Sequence, residues 1–371
     1  MRPWLFSRSV DLAVFGGTAV VALTAVAVGL RLGIENGEMP PWAWIAAVLF
    51  VDVAHVHATL FRTYFDRGEL QRRPLLYTFV PAACFVIAFA LYQSGTLIFW
   101  RCAAYLAVFH FVRQQYGWVA LYRSRGGERD RLGWLIDSAA IYAATLYPLL
   151  WWHTHLPRTF WWFVPNDFAA NVPPLMMMVA TPLYWLTLIA YAARSIARGV
   201  PNPGKDVVVV TTALCWYVGI IALNSDYAFT VTNVLLHGVP YFALIYFYGR
   251  AHASPQSLAR RLLQRGPLAL LGIVWVLAFI EEAAWDHAAW HEHPQFFGGR
   301  LTLDSVAMWL VPLLAVPQLT HYVLDGFIWK RRSAQPLFAP HPVPLPASEE
   351  REFGGRALAP RSGERVARSA G

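Results

Sequence analysis

The sequence predicts an all-α fold, a polytopic transmembrane helical bundle of about ten helices. Three observations carry that prediction: the composition, the spacing of the apolar runs and the alternation of the basic loops. Hydrophobic residues make up 57% of the 371-residue chain and charged residues only 14%, where a soluble chain carries about 25% charged residues. Water is therefore not its main solvent. The 17 Trp, 16 Tyr and 23 Phe supply apolar bulk for the spans and amphipathic rings for two lipid interfaces.

Apolar runs of bilayer-crossing length lie near 11–30, 41–61, 75–93, 95–121, 133–152, 175–193, 206–223, 227–248, 267–285 and 303–329. The first follows a short stretch containing Arg2 and Arg8 and is itself long enough to span, so it reads as a retained helix rather than a cleaved signal. Between the runs the arginines alternate. Arg67, Arg72 and Arg73 follow the second span, Arg123, Arg125, Arg129 and Arg131 the fourth, and Arg194, Arg198 and Lys205 the sixth. Arg250, Arg260, Arg261 and Arg265 follow the eighth, and Lys330, Arg331 and Arg332 the tenth. The opposite loops are poor in basic residues and hold Glu35, Glu38, Asp167, Asp226, Asp286 and Glu292. By the positive-inside rule both termini are cytoplasmic, in a membrane of the bacterial inner type. One missed helix would invert every later loop, so the count and the alternation support each other.

The domain reading is a helical membrane domain over 1–332 and a Pro- and Arg-rich cytoplasmic tail over 333–371, too poor in apolar residues to build a core. The net charge of +8 does not point to nucleic acid, because the basic residues are spread over short loops and the tail; a membrane with anionic lipid is the better partner. Cys84, Cys102 and Cys215 fall in apolar segments with neither a disulfide pattern nor a metal-knuckle spacing. There is no internal repeat, P-loop or GxGxxG motif.

The informative residues are ionisable ones at membrane depth, where a charge costs several kcal/mol and needs a reason. The second span carries Asp52, His55 and His57 in FVDVAHVHATLFR, and the fourth His110, Arg113, Gln114 and Gln115 in VFHFVRQQYGW. The eighth carries Asn233, His237 and Tyr241 in TNVLLHGVPYF, and the tenth Gln318, His321 and Asp325 in VPQLTHYVLDGFIWK. All four spans run in the same direction. His57 lies about 5 residues from the cytoplasmic end, His321 about 8, and His110 and His237 about 11, so at ~1.5 Å per residue they share a depth.

Residues three or four apart lie on one helix face. On that spacing His110 faces with Arg113 and Gln114, His237 with Asn233 and Tyr241, His321 with Gln318 and Asp325, and His55 with Asp52. Each histidine thus has a neighbour able to hold its other ring nitrogen, as a metal-binding imidazole needs. His55 and His57 point in nearly opposite directions on a regular helix, so one is expected as ligand and the other as support. Arg113 requires an anion or a carboxylate, from Asp325, Asp52 or a substrate headgroup, unless it snorkels to the cytoplasmic face. The alternative for the whole set is that the histidines hydrogen-bond across helices and hold the bundle together.

Neutral imidazoles with an acidic neighbour suit Fe(II), Zn or Cu. Oxygen-activating iron is preferred, because a lipid-embedded site is poorly supplied with water for hydrolysis and well placed for apolar substrates and O₂. Other histidines fall at external ends or loops: His153 and His155 in WWHTH, and His287, His291 and His293 in DHAAWHEHPQ. Interfacial polarity is the reading for these, as a solvated helix end is for Glu281 and Glu282.

The order of these motifs resembles the Brp/Blh family of membrane-bound bacterial β-carotene 15,15'-dioxygenases, which places metal-binding histidines on four separated transmembrane helices. The comparable positions are His55 or His57 in DVAHVH, His110 in FHFVRQ, His237 in LLHGVPYF and His321 in VPQLTHYVLDGFIWK. The family's Pro-His-Gly pattern is absent around His55 and His57, and Tyr241 stands where a second histidine of the third motif would be. The resemblance implies a non-haem iron site more than it implies carotene as substrate.

The function expected is an integral-membrane metalloenzyme that oxidises or cleaves a hydrophobic lipid or isoprenoid. His55 or His57, His110, His237 and His321 would be its ligands, Asp52, Gln114, Asn233, Gln318 and Asp325 supporting groups, and Arg113 and Tyr241 the groups nearest substrate or oxygen, with an electron-donor protein as a partner if the reaction needs one. A haem-carrying electron-transfer protein and a proton-coupled transporter or lipid-binding protein are the rival classes.

Overall fold

Local chemistry sets where the helices begin and end. The computed structural model describes residues 3–34, 39–298 and 304–329. The chain divides into units Met1–Leu337 and Phe338–Gly371, and the tail expected over 333–371 lies outside the described residues. Helix α1 (Arg8–Leu32) starts where the Ser7 side chain accepts from the Val10 amide and ends at Gly33, whose φ of 69° suits a residue without Cβ. Helices α2 (Pro41–Arg62), α3 (Pro74–Ser94), α7 (Pro203–Ala222) and α9 (Pro267–Trp290) each open on proline, whose fixed φ and missing N–H cost nothing in a first turn. Helix α4 (Thr96–Arg125) follows Gly95, and α5 (Arg131–Thr154) is capped by Asp130, which accepts from the Gly133 amide at 2.6 Å. Helices α6 (Met176–Ala197), α8 (Asp226–His252), α10 (Asp304–Leu314) and α11 (Val316–Ile328) complete the bundle. The described residues contain no strand.

Eight of these helices, α1 to α4 and α6 to α9, are long and apolar enough to cross a membrane, and the chain is a multi-pass membrane protein. The other two expected spans differ in kind. Helix α5 has 24 residues, but its Trp, Tyr and Asp content makes it less apolar than the eight. The last span is broken at Ala315 into α10 and α11, because Pro317 has no N–H to return to the preceding turn.

Helix α8 is the axis of the bundle. Of its apolar window 78% is buried, against 11% for α6, although the mean hydropathy is 1.5 in both. It packs against α1, α2, α4 and α7, while α6 leans on α5 and turns Met178, Val179 and Leu186 outward. Phe61, Tyr241, Ile245, Leu270 and Val274 fill the core between α2, α8 and α9. Two wide π-helical stretches, Trp44–Val53 in α2 and Thr230–Val234 in α8, run directly into the turns that carry His55 and His237. Such turns shift the phase of every side chain after them.

Candidate metal centre

The bundle brings one histidine from each of α2, α4, α8 and α11 to a single point. The ligand atoms of His55, His110, His237 and His321 all lie within 4.8 Å of one another, and all four residues are buried. His237 Nε2 is 3.0 Å from His55 Nε2, and His321 Nε2 is 3.1 Å from His110 Nε2. The shared depth expected from the sequence is therefore a shared site. Close approach of α2 and α8 makes it possible: a Cβ on Gly238 would stand 2.5 Å from Val51 Cγ1 and 3.0 Å from the Val51 carbonyl, so only glycine beside His237 allows that spacing.

The hydrogen bonds around His321 fix its tautomer. Tyr241 donates its phenol to Asp325 Oδ1 at 2.7 Å, and the Trp329 indole donates to the same oxygen at 3.3 Å. Thr59 Oγ1 lies 2.8 Å from the Tyr241 oxygen and 2.7 Å from His321 Nδ1. With the tyrosine proton on Asp325, Thr59 must donate to Tyr241, and His321 Nδ1–H must donate to Thr59. His321 Nε2 then presents a lone pair to the cluster, the form a metal ligand takes. Phe111 stacks on His237 at 3.8 Å between ring centroids, and Tyr322 stacks on His110 at 4.6 Å. These rings fix two more imidazole planes.

The donor set fits a metal ion: four imidazole ligand atoms within 4.8 Å of one another. Two Nε2–H···Nε2 bonds could pair the rings, but they do not explain why all four ligand atoms gather within 4.8 Å of one another; His55 Nδ1 and His237 Nδ1 have no hydrogen-bond partner in either arrangement. Each such atom costs about 1–3 kcal/mol. Four neutral imidazoles around a divalent ion leave two positive charges at membrane depth. Asp52 Oδ1, 3.7 Å from His55 Nδ1, and Asp325 Oδ1, 3.9 Å from His321 Nδ1, are the carboxylates placed to balance them.

The remaining sequence candidates separate. His57 faces away from the four and sits against Glu281 on α9, Nε2 to Oε2 at 2.7 Å. Gln114 supports the site through the backbone, donating to the His237 carbonyl at 2.7 Å. Gln318 donates to the Tyr322 hydroxyl at 2.6 Å and so steadies the ring on His110. Asn233 instead bonds the Phe229 carbonyl and Thr232, where α8 crosses Gly219 of α7. Arg113 is exposed and turns to the Tyr142 hydroxyl and the Tyr116 ring, with no carboxylate among those contacts. His153 bonds Tyr105, while His287 Nδ1 lies 2.7 Å from the Ala283 carbonyl and His293 stacks on Trp44, so the external histidines do not form a cluster among the described residues.

Thr59, Phe111 and Tyr322 belong to the site although the sequence did not single them out. The available signal was spacing: Thr59 is one turn from His55, and each ring follows a histidine directly. In comparisons with known proteins, no family model, curated protein or solved structure matches the chain.

Proposed function

We propose that this chain is an integral-membrane metalloenzyme that uses non-haem iron on His55, His110, His237 and His321, together with O₂, to oxidise or cleave an apolar lipid or isoprenoid. The single observation that supports this reading is the convergence of four buried Nε2 atoms on one point, with the lone pair of His321 directed there by Thr59, Tyr241 and Asp325. Iron, when bound, supplies the redox and oxygen chemistry that no side chain of this cluster has. The protein's part is positional. Thr59 and Tyr241 orient His321, Phe111 and Tyr322 hold ring planes and exclude water, and Asp52 and Asp325 offset the charge of the ion.

Lipid as the source of substrate follows from the setting: the cluster lies inside helices whose outer faces are apolar, and the membrane delivers apolar molecules to it. The resemblance of the motif order to that of Brp/Blh proteins makes a carotenoid the first substrate to test. An inner-type membrane with cytoplasmic termini and, for a reaction that needs electrons, a donor protein complete the proposal. The haem alternative fits less well, because a porphyrin would have to pass between imidazole nitrogens only 3.0 and 3.1 Å apart.

Elemental analysis and a visible spectrum of the detergent-purified protein test the reading together. Tightly held iron that is lost on replacing His110 and His321 by Ala, without a Soret band, is the expected result. A strong Soret band would move the site to the haem class, and a double variant with unchanged metal content would overturn the proposal.

A further inference from the structure

Apart from the metal centre, one group of polar side chains stands at membrane depth on the outer face of the bundle, and its polar atoms are mostly donors. Arg113 of α4 is exposed, in line with the exposed Phe109 and Leu106 one and two turns away. It stands about 12 residues, or ~18 Å, from Arg125 at the end of α4. That is farther than its side chain reaches, so it does not snorkel out of the span. Its guanidinium turns sideways instead, donating to the Tyr142 hydroxyl of α5 and lying 4.8 Å from the centre of the Tyr116 ring. Tyr142 is itself about 11 residues, or ~16 Å, from Arg131 at the start of α5.

The bonding of these groups is one-sided. Tyr116 and Tyr142 stack at 5.2 Å between ring centroids, and the Trp134 indole donates to the Tyr116 hydroxyl at 3.3 Å. Both phenol oxygens therefore already accept, and among the described residues neither phenol proton has an acceptor. A guanidinium carries five N–H donors, and Arg113 has one hydrogen bond and no carboxylate partner among the described residues. The buried arginines differ: Arg62 pairs with Glu69 at 3.1 Å and Arg123 with Glu128 at 3.4 Å. A positive charge without a counter-ion at this depth costs several kcal/mol. Surplus donors and a missing negative charge have the same complement, an anion from outside the chain.

We infer that Arg113, Tyr142 and Tyr116 bind the carboxyl group of a long-chain carboxylic acid, with its chain along Phe109 and Leu106 of α4 and Leu146 of α5. A carboxylate takes the planar guanidinium fork through both oxygens, and the two phenols donate to its remaining lone pairs. Leu146 is exposed one turn beyond Tyr142. The two helices run antiparallel here, so it lies on the same side of the cation as Phe109. Depth favours a carboxyl over a phosphate. A carboxylic acid enters the bilayer uncharged, whereas a phosphate ester keeps its charge at neutral pH, and burying an isolated charge is costly. The site goes beyond the proposed function, which gives Arg113 no role, and it needs no metal ion.

Equilibrium binding of tritiated palmitic acid to the detergent-purified intact chain tests the inference, with methyl palmitate and palmitoyl lysophosphatidic acid as competitors. Saturable binding is expected, displaced by unlabelled palmitic acid and not by the ester. Arg113→Gln should weaken it about 10–100-fold, and Tyr142→Phe by less. Arg113 is exposed, so its variant should melt as the wild-type protein does, and the comparison of acid with ester needs no variant at all. Displacement by the ester as readily as by the acid, or wild-type affinity in Arg113→Gln, would overturn the site. Displacement by the lysophosphatidic acid at lower concentration than by palmitic acid would overturn the carboxyl assignment in favour of a phosphate headgroup. Binding should persist in the His110→Ala/His321→Ala variant, so failure of this site and failure of the metal centre are read separately.

Discussion

Two buried polar clusters among the described residues are built on opposite principles. At the end of the bundle bearing the basic loops, Lys205 Nζ reaches Glu128 Oε2 at 2.7 Å and Asp137 Oδ2 at 2.8 Å. Arg123 pairs with the same two carboxylates, and Asn202 bonds Glu128 Oε1 and the Tyr122 carbonyl. Lys205 and Arg123 meet Glu128 and Asp137, with Arg194 3.9 Å from Asp137, so every charge has a partner inside the protein. The histidine cluster gathers four bases on one point, and His55 Nδ1 and His237 Nδ1 have no hydrogen-bond partner. The charged network balances its charges from within and ties α4, α5 and α7 together. A set of imidazole nitrogens gathered on one point can take a metal ion between them. The difference separates structural polarity from polarity held ready for a ligand, and it tells where substitutions should act on stability and where on metal.

The largest stability effect belongs to the closed network. Lys205→Met leaves Glu128 and Asp137 short of one charge and should cost about 3–5 kcal/mol, read as a fall in melting temperature of the detergent-purified protein while metal content stays at the wild-type level. A variant that melts normally would show that the network does not act as a unit. Thr59→Val is the opposite probe. It removes the Thr59 hydroxyl that accepts from His321 Nδ1–H at nearly constant volume, and metal affinity should fall by about 10–100-fold with a much smaller change in melting. Unchanged affinity in a competition titration would mean that His321 is oriented by other contacts.

Gly238→Ala tests the backbone that carries the site. The added methyl meets Val51 at 2.5 Å, and relieving an overpacked contact of this kind costs about 1–3 kcal/mol while separating His237 from His55. Lower metal retention than in a Gly272→Ala control, a position with open space around it, is expected. The smallest effect is acidification. Burial pushes the Glu128 carboxyl up, but hydrogen bonds from Lys205 and Asn202 and the charges of Lys205 and Arg123 outweigh it and hold the group below its usual 4.5. Because the folded value is the lower one, Glu128 stabilises the fold above pH 4.5 and loses that contribution as pH falls through the folded value. The melting temperature should drop across that window, and drop less in Glu128→Gln; equal pH profiles would remove Glu128 from the account.

Depth was legible in the sequence because ionisable residues in apolar runs are rare, so His57, His110, His237 and His321 could be compared along parallel spans, although His55 is the one the structure brings to the site. Direction was less so. The choice between His55 and His57 depends on the π-helical stretch Trp44–Val53 before them, which follows no simple residue pattern and rephases the helix. Arg113 stands one turn from His110 in sequence, yet it turns outward, where the Tyr142 hydroxyl accepts from its guanidinium and the Tyr116 ring lies beneath it. Thr59 was illegible for another reason: threonine is ordinary in membrane helices, and only the meeting of Tyr241 and His321 on its hydroxyl gives it a role. Hydropathy identified α6 and α8 equally well as spans but held no record that one faces lipid and the other is the axis.

The central claim is that the four converging imidazoles are metal ligands rather than bundle contacts. Metal analysis of the purified wild-type protein beside the His110→Ala/His321→Ala variant, both monodisperse in detergent, tests it most directly. The account predicts tightly held metal in the first and loss of one equivalent in the second. Equal metal in the two, or none in the wild-type protein after expression in iron-replete medium, would contradict it.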